Sequence, residues 1–155
     1  NAAASYEWYY DASAWKGDNV DWIGVAAGNL DRTGADEEVV VAFGDQNNDI
    51  RLVALDGDEI IATGGIVPLD AQTCELKRIW LLKEYRGKGI GRDITTRLIQ
   101  HARDQGYQRV VLQIFSPEVQ QPAMKLYGAL GFKPIPQYEP GSDCALAMQL
   151  LLETP

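Results

Sequence analysis

The chain has 155 residues, 46% of them hydrophobic and 23% charged, a composition that suits one globular domain with a single core. No stretch approaches the roughly 18 apolar residues of a membrane span, Asn1 to Ser5 has no signal-peptide character, and a net charge of -8 argues against a general nucleic-acid binder. Cys74 and Cys144 stand far apart beside a single histidine, which suggests neither a disulfide framework nor a zinc site; the expectation is a soluble, cytoplasmic protein with reduced thiols, no metal and no membrane partner.

In residues 1 to 48, Tyr6 to Tyr10 reads as a strand. Asn19 to Leu30 reads as a helix with Val20, Ile23 and Ala27 on one face, and Ala35 to Phe43 as a second helix or another strand. From Ile50 the pattern sharpens. Ile50 to Leu55 and Glu59 to Val67 form a hairpin across Asp56-Gly57-Asp58, and Asp70 to Gln72 turns into a strand over Thr73 to Leu82. Arg92 to Gln105 is a helix by the spacing of Ile94, Leu98 and Ala102, with Gly106 placed as its left-handed cap. Val110 to Phe115 follows as a strand, giving a right-handed parallel crossover. Pro122 starts the next helix and Gly131 ends it; Lys133 to Tyr138 and Ala145 to Leu152 read as closing strands. The fold class is α/β: a mixed, mostly antiparallel sheet with one parallel crossover pair and helices on both faces.

Between the strand at Leu76 to Leu82 and the helix after it lies Arg86-Gly87-Lys88-Gly89-Ile90-Gly91. Alternate glycines at a helix mouth let the backbone approach a ligand and aim free N–H groups at it, as a phosphate requires. Arg86, Lys88 and Arg92 bring three cations to the same spot. Between Lys77 and Arg103 lie eight of the 14 basic residues, against Glu84 and Asp93 alone, so an otherwise acidic chain gathers its cations around one turn. The dinucleotide pattern GxGxxG fails at Arg92, and the phosphate loop GxxxxGK[ST] is absent. The turn reads as a pyrophosphate cradle for one discrete anionic ligand.

Arg86-x-x-Gly89-x-Gly91 resembles the acyl-CoA signature of the GNAT N-acetyltransferase family, and Ala123-x-x-Leu126-Tyr127-x-x-x-Gly131-Phe132 matches the end of that family's following helix. The resemblance runs from about Ile50 to the C-terminus. It implies one domain over residues 1–155, with 50–155 the CoA-binding core and 1–48 on the acceptor side, and acetyl-CoA as co-substrate. Further implied is a bulge in the strand carrying Ile79, Trp80 and Leu81, which splays from its parallel neighbour near Leu112 and Gln113 so that the pantetheine arm pairs with exposed backbone and an N–H near Leu81 faces the carbonyl oxygen. Tyr127 takes the place of the general acid. Glu75, eleven residues before Arg86, is the base candidate, placed by alternation on the Ile79 and Leu81 side; pairing with Lys77 or Arg78, or simply drawing in a cationic acceptor, is the alternative. Where many members carry an asparagine against pantetheine, this chain has Gln120.

The implied activity is N-acetyl transfer to a primary amine. Residues 1 to 75 hold three basic and fifteen acidic residues, which favours a cationic small-molecule acceptor. A protein lysine or N-terminus as acceptor, or a non-catalytic acyl-CoA sensor, are the other readings. Six of the 14 aromatic residues fall between Tyr6 and Trp22; they read first as a core strand or a homodimer contact, with an aromatic-walled acceptor pocket as the other hypothesis.

Overall fold

The computed structural model describes residues 22–28, 38–44 and 50–152. Their strands form one sheet in the order β1-β2-β3-β4-β5-β6-β8-β7. The strands are β1 (Trp22–Gly28), β2 (Glu38–Gly44), β3 (Ile50–Asp56), β4 (Glu59–Pro68), β5 (Thr73–Leu81), β6 (Arg109–Ile114), β7 (Lys133–Ile135) and β8 (Leu146–Leu151). Two helices, α1 (Ile90–Asp104) and α2 (Gln121–Ala129), join β5 to β6 and β6 to β7. Every strand contact is antiparallel except β5 with β6. Among the described residues no helix is long and apolar enough to cross a membrane.

The elements expected from Ile50 onward form within a few residues of their expected ends. The N-terminal helix does not: Trp22 to Gly28 is a strand, each residue paired with a partner on β2 from Gly44 back to Glu38. Its Trp, Ile and Val suit an extended backbone, and two glycines weaken a helix, so tertiary pairing overrides an apparent helical spacing. Ala35 to Phe43 resolves toward the strand alternative, while Tyr6 to Tyr10 lies outside the described residues. The strand expected over Lys133 to Tyr138 stops at Ile135, because Pro136 has no N–H to give the ladder. Pro134 is accommodated since β7 is the sheet's edge.

α1 lies against β4 and β5. Ile90, Ile94, Leu98, Ile99 and Ala102 are buried along one face of it, on the helical period that reads as an amphipathic stripe. The approach is close enough to demand glycine at position 64. A Cβ there would lie 2.7 Å from Ile79 Cδ1 and 2.9 Å from both Ile94 Cγ2 and Leu98 Cδ1. Gly64→Ala is therefore expected to cost about 1–3 kcal/mol by overpacking, read as a lowered midpoint in urea with an unchanged slope. A variant as stable as the parent would show that α1 can retreat freely from the sheet.

Candidate functional site

The site begins where β5 leaves its neighbours. On the β4 side, Lys77 pairs with Gly65 and Trp80 with Thr63, so Gly64 opposes two residues, Arg78 and Ile79. This is a β-bulge, and Arg78 takes a left-handed φ of 56°, which non-glycine residues rarely adopt. The Thr63 hydroxyl donates to the Arg78 carbonyl at 2.9 Å and holds the distortion. On the other side, β5 pairs with β6 only at Thr73, Cys74 and Glu75. Beyond Val111, β6 stays with β8 and the two parallel strands part. Because the Leu82 N–H donates to Ile61 O on β4, strand alternation turns the Leu81 amide to the opposite edge, where β6 has departed.

A cavity of about 600 Å³ fills this opening, lined by Glu75, Lys77, Leu112, Gln113, Gln120 and Tyr127 and closed by residues 139–143. Ile79 lines it as well. Trp80 instead stands on the Thr63 face with 47% of its surface exposed, and the same alternation turns its backbone toward β4, so the backbone left for a ligand at this edge is that of Leu81.

The bulge also corrects the placement of Glu75. Simple alternation puts it with Ile79 and Leu81, but the extra residue shifts the phase. Glu75, Lys77 and Trp80 oppose Val67, Gly65 and Thr63 on one face, whereas Leu76 and Leu81 oppose Ile66 and Ala62 on the other, where Ile79 meets α1.

At the other end of the opening stands the N-terminus of α1. The helix starts at Ile90, two residues earlier than its apolar spacing suggests, so Gly91 and Arg92 belong to its first turn. Gly89 is the N-cap at a φ of 95°, and no side chain caps the helix. Its first-turn N–H groups, those of Ile90, Gly91 and Arg92, are thus left for an external acceptor at the positive end of the helix dipole. Arg86, Lys88 and Arg92 are exposed around it. Arg86 Nε donates to Leu81 O at 3.3 Å, and Lys88 Nζ sits 5.0 Å over the Tyr85 ring, whose hydroxyl donates to Asp56 at 2.5 Å. Tyr85, which the motif did not single out, so ties the turn to the β3–β4 hairpin. A Cβ on Gly91 would lie 3.8 Å from Leu126 and from Leu81, placing the turn beside both α2 and β5.

Tyr127 is held by its own motif. Gly131 N–H donates to Gly128 O and Phe132 N–H to Tyr127 O, the paired bonds of a Schellman ending, which needs the φ of 95° that Gly131 adopts. The accompanying apolar contact is Tyr127 against Phe132, ring centroids 5.7 Å apart. The Leu-Tyr-x-x-x-Gly-Phe pattern is therefore a device that fixes the tyrosine ring. Tyr127 is 5% exposed yet lines the cavity, and burial pushes its phenol up to about 12, so it carries its proton at neutral pH. Gln120 is the residue before α2; its Oε1 accepts from the Phe115 and Ser116 N–H groups at 2.9 Å each, which leaves the amide NH₂ as the group it can offer a ligand.

Glu75 is 2% exposed. One carboxylate oxygen pairs with Lys77 Nζ at 2.8 Å and the other accepts from the Tyr138 hydroxyl at 2.8 Å. Gln113 Nε2 donates to Glu139 at 2.6 Å, and Ser142 Oγ donates to Gln113 Oε1 at 2.9 Å. Tyr138, Gln113 and Ser142 carry no sequence signal of a role, because their contacts join residues far apart in the chain. Among the described residues no group of three His, Cys, Asp or Glu side chains is placed to hold a metal ion. His101, the single histidine, is half-buried, and burial pushes its imidazole down from its ordinary value.

The sequence profile of the acetyltransferase (GNAT) family matches residues 13–132. Human N-acetyltransferase 8B is 40% identical over 86 residues, which cover 52% of this chain and 37% of that protein; the chain thus spans about a third of that relative's length. Solved structures share the fold. A GNAT family acetyltransferase of Staphylococcus aureus aligns with a TM-score of 0.63 at 19% identity, covering 69% of this chain and 70% of its own. One from Elizabethkingia anophelis, crystallised with acetyl-CoA bound, aligns with a TM-score of 0.55 at 23% identity, covering 67% and 76%.

Proposed function

The chain belongs to the GNAT acetyltransferase family, and from that premise we propose that it is an acetyl-CoA-dependent N-acetyltransferase acting on a primary amine of a cationic small molecule. The observation that carries this reading is the opening between β5 and β6, with the uncapped N-terminus of α1 at one end and Tyr127 in the wall. The residues present fit the co-substrate. The free N–H groups of Ile90, Gly91 and Arg92, with the exposed side chains of Arg86, Lys88 and Arg92, suit a pyrophosphate. The unpaired edge of β5 at Ile79 to Leu81 suits an extended amide-bearing arm, as an added strand would, and Gln120 can contribute its NH₂.

Acetyl-CoA, when bound, supplies an activated acyl group and a thiolate leaving group. This chain's residues do the remainder. The Leu81 N–H faces the edge where negative charge gathers on the carbonyl oxygen. Tyr127 holds a proton for the departing sulfur. Glu75 takes a proton from the acceptor ammonium and so frees the neutral amine that attacks, a form present in only about one molecule in 10³ to 10⁴ at pH 7 if the pKa is lysine-like. Glu139 and Asp143 add two further carboxylates to the cavity wall, in keeping with a cationic acceptor. Cys74 and Cys144, both buried free thiols, suit a reducing, cytoplasmic setting.

The test is release of CoA thiol from acetyl-CoA against polyamines, aminoglycosides, amino acids and a lysine peptide. The expected result is amine-dependent release led by polyamines or aminoglycosides. Release with the peptide alone would move the acceptor to protein, and CoA binding without any amine-dependent release would leave a sensor.

A further inference from the structure

We propose that Tyr138 is a positioning residue for Glu75, its hydroxyl clamping the carboxylate across the gap between β5 and β6 so that one oxygen stays turned toward the acceptor. This rests on the reading of Glu75 as the base. The gap opens at the residue concerned: Glu75 is the last β5 residue paired with β6, and past it no backbone ladder joins the strands. Side chains bridge it instead. Tyr138, on the connection between β7 and β8, donates to Glu75 Oε1 at 2.8 Å, from 63 positions away in the chain. On the far side, Gln113 of β6 is held by Glu139 and Ser142, which lie on the same connection as Tyr138.

The clamp decides which way the carboxylate faces. Lys77 holds Oε2 at 2.8 Å, but the Lys77 side chain is 42% exposed, so a Glu75 held by Lys77 alone would be drawn toward solvent. With Tyr138 on Oε1 both oxygens are fixed, and each keeps a second lone pair to accept a proton or an incoming N–H. Burial, and then its bond to Glu75, push the Tyr138 phenol well above its ordinary value, so it remains a donor at every pH at which such an enzyme is assayed. The other ionisable groups facing this space are Arg78 from β5, Tyr127 from α2, and Glu139 and Asp143 from the connection, with Cys144 close to the Tyr138 hydroxyl.

The experiment is the pH–rate profile of kcat/KM for the full chain, its Glu75→Gln variant and its Tyr138→Phe variant. A carboxylate that loses a donor is protonated more easily. Tyr138→Phe is therefore expected to move the acid limb to higher pH and to lower kcat roughly tenfold, the low end for one hydrogen bond to a charged group, with acceptor KM little changed; Glu75→Gln is expected to abolish the limb. If Glu75→Gln abolishes the limb but the Tyr138→Phe profile superimposes on the parent, positioning by Tyr138 is wrong while the base stands. If Glu75→Gln leaves the limb in place, the base reading falls and this proposal with it. Should Tyr138→Phe not fold, 3-fluorotyrosine and 3,5-difluorotyrosine at 138 keep ring and hydroxyl; an acid limb that moves with phenol acidity supports the clamp, and one that stays fixed overturns it.

Discussion

Tyr127→Phe is expected to lower kcat for acetyl transfer by about 10²- to 10⁴-fold, the range for removing a positioned general acid, while acetyl-CoA affinity stays near that of the parent. The substitution deletes one oxygen and nothing else. The ring keeps its place, because it is fixed by the Schellman bonds at Gly131 and Phe132 and by the tilted Phe132 ring packed against it, none of which involves the hydroxyl. No described residue hydrogen-bonds to that hydroxyl, so its removal strands no buried partner and global stability should be unchanged or slightly higher. A phenol pushed up to about 12 by burial is a poor base and a retained acid at neutral pH, which fits donation to a leaving thiolate rather than abstraction from an amine. Steady-state kinetics beside a binding isotherm for CoA separate the possibilities. Full turnover in the variant would make Tyr127 a core aromatic and nothing more.

Gly89→Val is expected to raise the KM for acetyl-CoA roughly tenfold or more and to destabilise the fold by about 1–2 kcal/mol. Gly89 caps α1 at a φ of 95°, and a Cβ there would meet nothing within 4 Å, so the whole cost lies in the backbone. A left-handed conformation costs an L-residue about 1–2 kcal/mol, more when it is β-branched. Relaxing that strain means moving the start of α1, which turns the N–H groups of Ile90, Gly91 and Arg92 away from their common focus; about 1.4 kcal/mol of lost contact is already tenfold in affinity. Lys88→Ala serves as the contrast. Lys88 is an exposed cation outside the helix, and its loss should cost only a few-fold and should fade as salt is raised. Equal effects from the two substitutions would mean that charge, and not backbone geometry, makes the cradle.

Most of the site's frame was legible in the sequence because its determinants are local. The apolar spacing of Ile94, Leu98 and Ala102 writes α1 directly, and Gly131 with Phe132 writes the cap that fixes Tyr127. The glycine turn marked the start of α1, although the helix proved to begin inside it, since Ile90 and Gly91 adopt helical backbone once Gly89 has made the turn. What escaped was set by partners distant in the chain. Trp22 to Gly28 is a strand because β2 lies beside it, which no property of those seven residues alone dictates. The bulge at Arg78 is fixed by pairing with β4, and it moves Glu75 to the face opposite the one that strict alternation assigns. Gly64 matters only because α1 crosses over it, and Tyr138 only because a connection returns it to Glu75.

A crystal structure of the protein with CoA would show directly whether the opening between β5 and β6 is the acyl-CoA site. The expected result is pyrophosphate oxygens within hydrogen-bond distance of the Ile90, Gly91 and Arg92 N–H groups, with the pantetheine arm along Ile79 to Leu81 and the sulfur in the opening beside the Tyr127 hydroxyl. Pyrophosphate held away from α1, or a sulfur outside the gap between β5 and β6, would contradict it.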